Sequence, residues 1–142
     1  MTVTAPFSEQ LESFCVVARK IAQIDDADSM LLLLEASLDW QKLRAATTGL
    51  KVLLAADRPA FLEGAQDAGF GTVQLSAIDS PVHEQLTRAL LELVADDLLD
   101  PGATVIALYS GFEAGTIDSL SVIRLDEHLG RLTAHDLRQL ET

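Results

Sequence analysis

A chain of 142 residues, 49% hydrophobic and 23% charged, has the size and composition of one globular domain with a single sizeable core, which excludes a disordered segment. Ten Lys and Arg against 22 Asp and Glu leave a formal charge of −12, so the phosphates of nucleic acids and the anionic headgroups of membranes are excluded as natural partners. The apolar runs fall well short of the roughly 20 residues that span a bilayer. The start MTVTAPFSEQ lacks the regions of a secretory signal, and the lone Cys15 permits no intramolecular disulfide, which together fit a cytoplasmic location.

In chain order, Ser8 to Ile24 places Phe7, Leu11, Phe14, Cys15, Ala18, Ile21 and Ala22 at helical spacing, with Ser8 as N-cap and Glu9 in the first turn. Cys15 on that apolar stripe is expected to be buried filler rather than a reactive thiol. Asp25–Ser29 is a polar turn. Met30–Leu34 is apolar on both faces, as strands of a parallel sheet are. After the turn EASLD, Trp40, Leu43 and Ala46 form the apolar side of a second helix that Gly49 is placed to stop. Lys51–Ala55 reads as another buried strand. Asp57 is then expected to cap a helix carrying Phe61, Ala65 and Ala68, with Pro59 in its first turn and Gly69 past its end. Thr72–Leu75 is a short third strand. Asp79 or Ser80 is expected to cap a long helix beginning at Pro81, whose stripe runs Val82, Leu86, Ala89, Leu90, Leu93, Val94 and Leu98.

The passage LLDPGATVIALYSGFEAGTIDSLSVIRL organises the rest. It contains a Pro101-Gly102 turn, a buried strand Thr104–Tyr109, a loop Ser110–Asp118 and a strand Ser119–Leu125. A loop of about eight residues is too short for a parallel crossover, so the last strand runs antiparallel to its predecessor. Asp126–Gly130 turns the chain, and Thr133 can cap a final short helix with Leu137 and Leu140 on one side. The expected fold is α/β: a three-layer sandwich around a mostly parallel five-stranded sheet with one antiparallel edge strand. Ligands of such sheets bind at the carboxyl ends of the strands where the strand order reverses. Here that crevice would be lined by Glu35–Asp39, Ala56–Arg58, Ser76–Ser80 and Ser110–Gly115.

From Phe7 to about Leu125 the order of elements, and above all LLDPGATVIALYSGF followed by IDSLSVIRL, resembles the C-terminal, effector-binding domain of pyruvate kinase. The run YSGFEAGTIDSLSVIRLDEHLGRLTAHDLRQLE is also similar to the stretch that precedes the catalytic domain of some archaeal and bacterial diadenylate cyclases. This second resemblance implies that residues 1–142 form one domain, the first of a longer protein, with the cyclase domain as its neighbour and a boundary near Thr142. The cyclase's own Asp-Gly-Ala and Arg-His-Arg motifs are absent from these residues, so no enzymatic activity is expected of them. In the kinase family a Ser-Gly-Arg turn after the first strand wraps a phosphate. Here the turn is Ser37-Leu38-Asp39, which replaces the phosphate-pairing Arg by an acid.

The residues expected to line a ligand site are Ser37, Asp39 and Trp40 after the first strand and Ser110, Gly111, Phe112 and Glu113 after the fourth. The Ser110–Thr116 loop could cradle a ligand with its backbone N–H groups, but without the Lys of a nucleotide-binding loop it reads more readily as a flexible connector, and Trp40 could stack on a ligand or simply pack. Glu35, Asp39, Asp57, Asp79 and Glu113 could in principle offer oxygens to Mg²⁺, but in a chain with 22 acids they read as solvated or capping carboxylates. His83, His128 and His135 have no metal-ligand spacing. Ser37, His83 and Asp79 lack the elbow motif of a hydrolase triad. No cofactor, metal or catalytic residue is therefore assigned. The functional expectation is a non-catalytic regulatory or oligomerisation domain that takes a small anionic or nucleotide effector and self-associates. The alternative is a stand-alone small-molecule-binding protein or enzyme of the α/β type.

Overall fold

The computed structural model describes residues 9–27, 29–76, 81–112 and 116–127. Ser8, Asp79, Ser80, Glu113, His128, His135 and the helix expected after Thr133 lie outside them. Within the described residues run α1 (Glu9–Ile24), β1 (Ser29–Leu33), α2 (Trp40–Ala46), β2 (Lys51–Ala56), a 3₁₀ turn (Pro59–Leu62), β3 (Gly71–Gln74), α3 (Val82–Ala95), β4 (Thr104–Tyr109) and β5 (Ser119–Arg124).

The strands form one sheet in the order β3-β2-β1-β4-β5. β1 pairs in parallel with β2 on one side and with β4 on the other, and β3 continues the parallel run beyond β2. β5 closes the edge antiparallel to β4, in register from Thr104 opposite Arg124 to Tyr109 opposite Ser119. The α/β three-layer sandwich with an antiparallel edge is thus the observed architecture.

Strand alternation divides the core in two. Met30, Leu32 and Leu34 join Val52, Leu54, Ile106 and Leu108 beneath α1 and α2. Leu31 and Leu33 join Leu53, Val73, Val105 and Tyr109 beneath α3. Because successive side chains of a strand alternate between faces, the unbroken apolar run of β1 requires cover on both sides. The helices supply it: α1 contributes Leu11, Cys15, Ala18 and Ala22, and α3 contributes Leu86, Ala89, Leu90 and Leu93. Each fully buried leucine contributes roughly 1.5–3 kcal/mol of transfer free energy.

Two expectations are corrected. The segment after β2 is not an α-helix capped by Asp57: it makes a single 3₁₀ turn from Pro59 to Leu62 with Arg58 in the cap position and no side-chain cap. Gly64, at φ 82°, breaks the helical path before Ala65 and Ala68 can extend it, and irregular turns carry the chain to β3. Pro81 likewise caps α3 from outside, with φ −57° and ψ 151°, rather than forming its first helical residue.

Candidate functional site

From β1 the chain moves outward to β2 and β3, then returns to the other side of β1 as β4. The carboxyl ends of β1 and β4 therefore flank the point where the strand order reverses, which is where sheets of this class open a crevice. Ser37 follows β1 at this point and Ser110–Phe112 follow β4. The topology thus brings the two predicted groups to the same end of the sheet. Their local bonding gives them different tasks.

Asp39 caps α2: its Oδ1 accepts from the backbone N–H of Gln41 at 3.1 Å and of Lys42 at 3.2 Å. Those are donors that the start of any helix leaves unpaired. Trp40 is half-buried, donates from Nε1 to the carbonyl of Glu63 at 2.8 Å and packs tilted against Phe70 with ring centroids 6.1 Å apart. It fastens α2 to the turns after β2. Ser37 is buried, 5% exposed, so it belongs to the wall rather than the mouth.

After β4 the backbone N–H of Gly111 and that of Phe112 converge on one acceptor, the carboxylate of Asp118. Gly111 donates to Oδ1 at 2.7 Å, and Phe112 reaches Oδ1 at 3.3 Å and Oδ2 at 3.2 Å. Ser119 Oγ donates to the same Oδ1 at 2.9 Å. Consecutive N–H groups of this kind form an anion-binding concavity. Here the anion is supplied by the chain. A side chain at position 111 would force Ser119 and Tyr109 to shift, because a Cβ there would lie 2.4 Å from Ser119 Oγ and 3.3 Å from the Tyr109 ring. Phe112, 96% exposed, extends away from the protein beside this mouth.

Open space lies one strand over. A cavity of about 400 Å³ at the carboxyl ends of β1 and β2 is lined by Leu34, Glu35, Asp57, Arg58, Phe61 and Gln85. The Arg58 guanidinium lies 5.8 Å from the centroid of the Phe61 ring, a cation–π arrangement that holds it at the cavity wall. The volume is within the range that accommodates small molecules. Ala56–Arg58 was legible from sequence as part of the crevice; Phe61 and Gln85 were not, because the first was assigned to a helix face and the second lies off the apolar stripe by which the long helix was recognised. Asp118 was missed too. The signal for it was an Asp closing a loop, since Asp commonly accepts from backbone N–H groups in turns.

Among the described residues no group of three or more His, Cys, Asp and Glu is placed to hold a metal ion. Nor is any helix there long and apolar enough to cross a membrane. Cys15 is fully buried under α1, and burial pushes its thiol from 9.0 up to about 11, with Glu12 adding to the rise and Arg19 opposing it.

Residues 10–133 match the family model described as "Probable sensor domain DacZ_P". Among solved structures, Cryptosporidium parvum pyruvate kinase in complex with ADP is similar at 16% identity with a TM-score of 0.62, covering 80% of this chain and 23% of the kinase. A second crystal structure of the Cryptosporidium parvum enzyme is similar at 15% identity with a TM-score of 0.58, over 80% of this chain and 22% of that one. The chain thus spans less than a quarter of the kinases it resembles, and at this identity the likeness is one of fold. No curated protein matches it.

Proposed function

Because the chain belongs to the DacZ_P family of sensor domains, we propose that it is a non-catalytic regulatory domain, joined in its natural protein to a diadenylate cyclase domain, that binds a small effector at the carboxyl ends of its strands. The observation that carries this reading is the family match over residues 10–133, which covers every described helix and strand except the first residue of α1. The crevice geometry supports it. The strand order reverses at β1 and β4, the position at which sheets of this class take ligands, and the cavity beside it combines apolar walls (Leu34, Phe61) with Glu35, Asp57, Arg58 and Gln85.

Three of the residues expected to bind a ligand, Asp39, Trp40 and Ser37, act in this reading through the shape of the site rather than by contact. Gly111 and Phe112 meet a ligand only if Asp118 yields. Contact falls to Asp57, Arg58 and Gln85. The test is a thermal-shift panel of ATP, cyclic di-AMP, sugar phosphates and Mg²⁺ on this chain. A ligand present at 100 times its dissociation constant adds about 2.7 kcal/mol of stability, which such a panel detects. A shift that disappears in Arg58→Gln supports the reading. A flat panel overturns the effector assignment.

A second reading, self-association, is favoured by β5. Among the described residues it is an edge strand with no neighbour on its outer side, and it carries the half-buried Leu120, Val122 and Ile123. Exposed Val16, Val17 and Ile24 on α1 add apolar surface. Joining two ATP molecules needs two cyclase sites face to face, which a self-associating domain would promote. Sedimentation velocity tests it, and a strictly monomeric chain at high concentration overturns it.

A further inference from the structure

At the opposite end of the sheet, where β2 and β3 begin, a second cavity of about 610 Å³ is lined by residues that include Arg44, Lys51, Thr47, Thr48, Gly69 and Leu98. We propose that this cavity is an oxyanion site, taking the phosphate or carboxylate group of a small molecule. It is independent of the strand-end crevice: Lys51 starts β2 and Asp57 follows its end, so about 20 Å of strand separates them.

The first argument is charge. Acids outnumber bases 22 to 10 in the chain, yet the lining of this cavity contains two cations and no carboxylate. The second is the way those cations are held. Arg44 Nη1 donates to the carbonyl of Ala68 and Lys51 Nζ donates to the carbonyl of Leu98. A guanidinium carries five N–H donors and an ammonium three. Each spends one on its anchor, which fixes the group at the wall and leaves the others for an anion.

The third argument concerns the acceptors nearby. The carboxyl end of α2 forms part of this rim, and bare carbonyls there would repel an anion. Three of them are engaged: Thr47 Oγ1 donates to Leu43 O at 2.8 Å, Thr48 Oγ1 to Ala45 O at 3.1 Å, and the Thr47 N–H to Arg44 O at 3.3 Å. Donors are therefore in surplus at the rim. Finally, glycine at position 69 leaves the room that the guanidinium occupies, since a Cβ there would stand 2.6 Å from Arg44 Nη1.

The test is isothermal titration calorimetry of the full chain with inorganic phosphate, and separately with succinate, at constant ionic strength. Saturable binding is expected for at least one of them, and whichever binds more tightly names the ligand class. Lys51→Gln and Arg44→Gln should each weaken it about tenfold or more, as loss of a charge-assisted contact does. Lys51→Arg should keep it within about threefold. Arg58→Gln, in the other cavity, should leave it unchanged, which separates this site from the effector crevice. If Arg44→Gln does not fold, Lys51→Gln carries the test alone, because Lys51 is exposed at the start of its strand. The proposal is overturned if neither anion binds saturably, if Lys51→Gln binds as tightly as the parent chain, or if Arg58→Gln abolishes binding.

Discussion

Replacing Asp118 by Ala removes the acceptor that gathers the loop between β4 and β5. Three donors converge on it: the N–H of Gly111, the N–H of Phe112 and the hydroxyl of Ser119. A hydrogen bond to a charged group contributes roughly 1.5–3 kcal/mol, but Asp118 is only half-buried, and water can take over donors that are not fully enclosed. A net loss of about 2–3 kcal/mol follows, equivalent to a drop of roughly 6–9 °C in Tm for a domain of this size. Asp118→Asn keeps one carbonyl acceptor and should lose about half as much. Urea unfolding monitored by circular dichroism measures both. The same variant bears on function, because with the carboxylate gone the N–H groups of Gly111 and Phe112 face an open mouth. Asp118→Ala should therefore bind inorganic phosphate at the strand ends, in a manner insensitive to Lys51→Gln. A change below about 0.5 kcal/mol, with no gain of phosphate binding, would refute the view that this carboxylate holds and fills the loop.

Four further outcomes are expected. Asp39→Ala uncaps α2 and should cost about 1 kcal/mol in urea unfolding, with most of it restored by Asp39→Ser. Gly111→Ala drives a methyl group into Ser119 Oγ and against Tyr109, and should destabilise by about 1–3 kcal/mol, measured as a fall in Tm. Leu54→Ala opens a cavity at a fully buried position of β2, between β1 and β3, and should cost about 2–5 kcal/mol. The Cys15 thiol rises from 9.0 to about 11 on folding, so the stability it contributes as a neutral group is complete below pH 9 and is lost as pH climbs toward 11. Relative to Cys15→Ala, the parent chain should lose stability more steeply across that window, and equal slopes would refute it.

The sheet was legible because its signals are categorical. The Met30–Leu34 run is apolar at every position and so had to lie inside a parallel sheet, and the short loop before β5 left no room for a crossover. The segment from Asp57 to Ala68 was misread because Phe61, Ala65 and Ala68 have helical spacing, while Gly64 between them takes a left-handed conformation that spacing does not register. Propensity summed over a window loses to one residue whose backbone cannot continue the helix.

The site was legible to the level of strand ends and no further, because the decisive contacts join residues far apart in sequence or depend on which of several acids a loop recruits. Ser110 and Gly111 admitted a cradle as one reading beside a plain connector, but nothing in that dipeptide states that Asp118, seven residues past Gly111, occupies it. A filled cradle and an empty one have the same local sequence and opposite preferences for an anion. The chain's net charge of −12 already repels anions at long range, and an internal carboxylate in a concavity suited to them adds a local barrier. An anionic effector of the strand-end crevice can displace Asp118 from this concavity or enter beside Arg58, over β2. The second route leaves the loop's hydrogen bonds intact, so it is the route that the geometry favours, and a ligand using it should depend on Arg58 while being indifferent to Asp118→Asn.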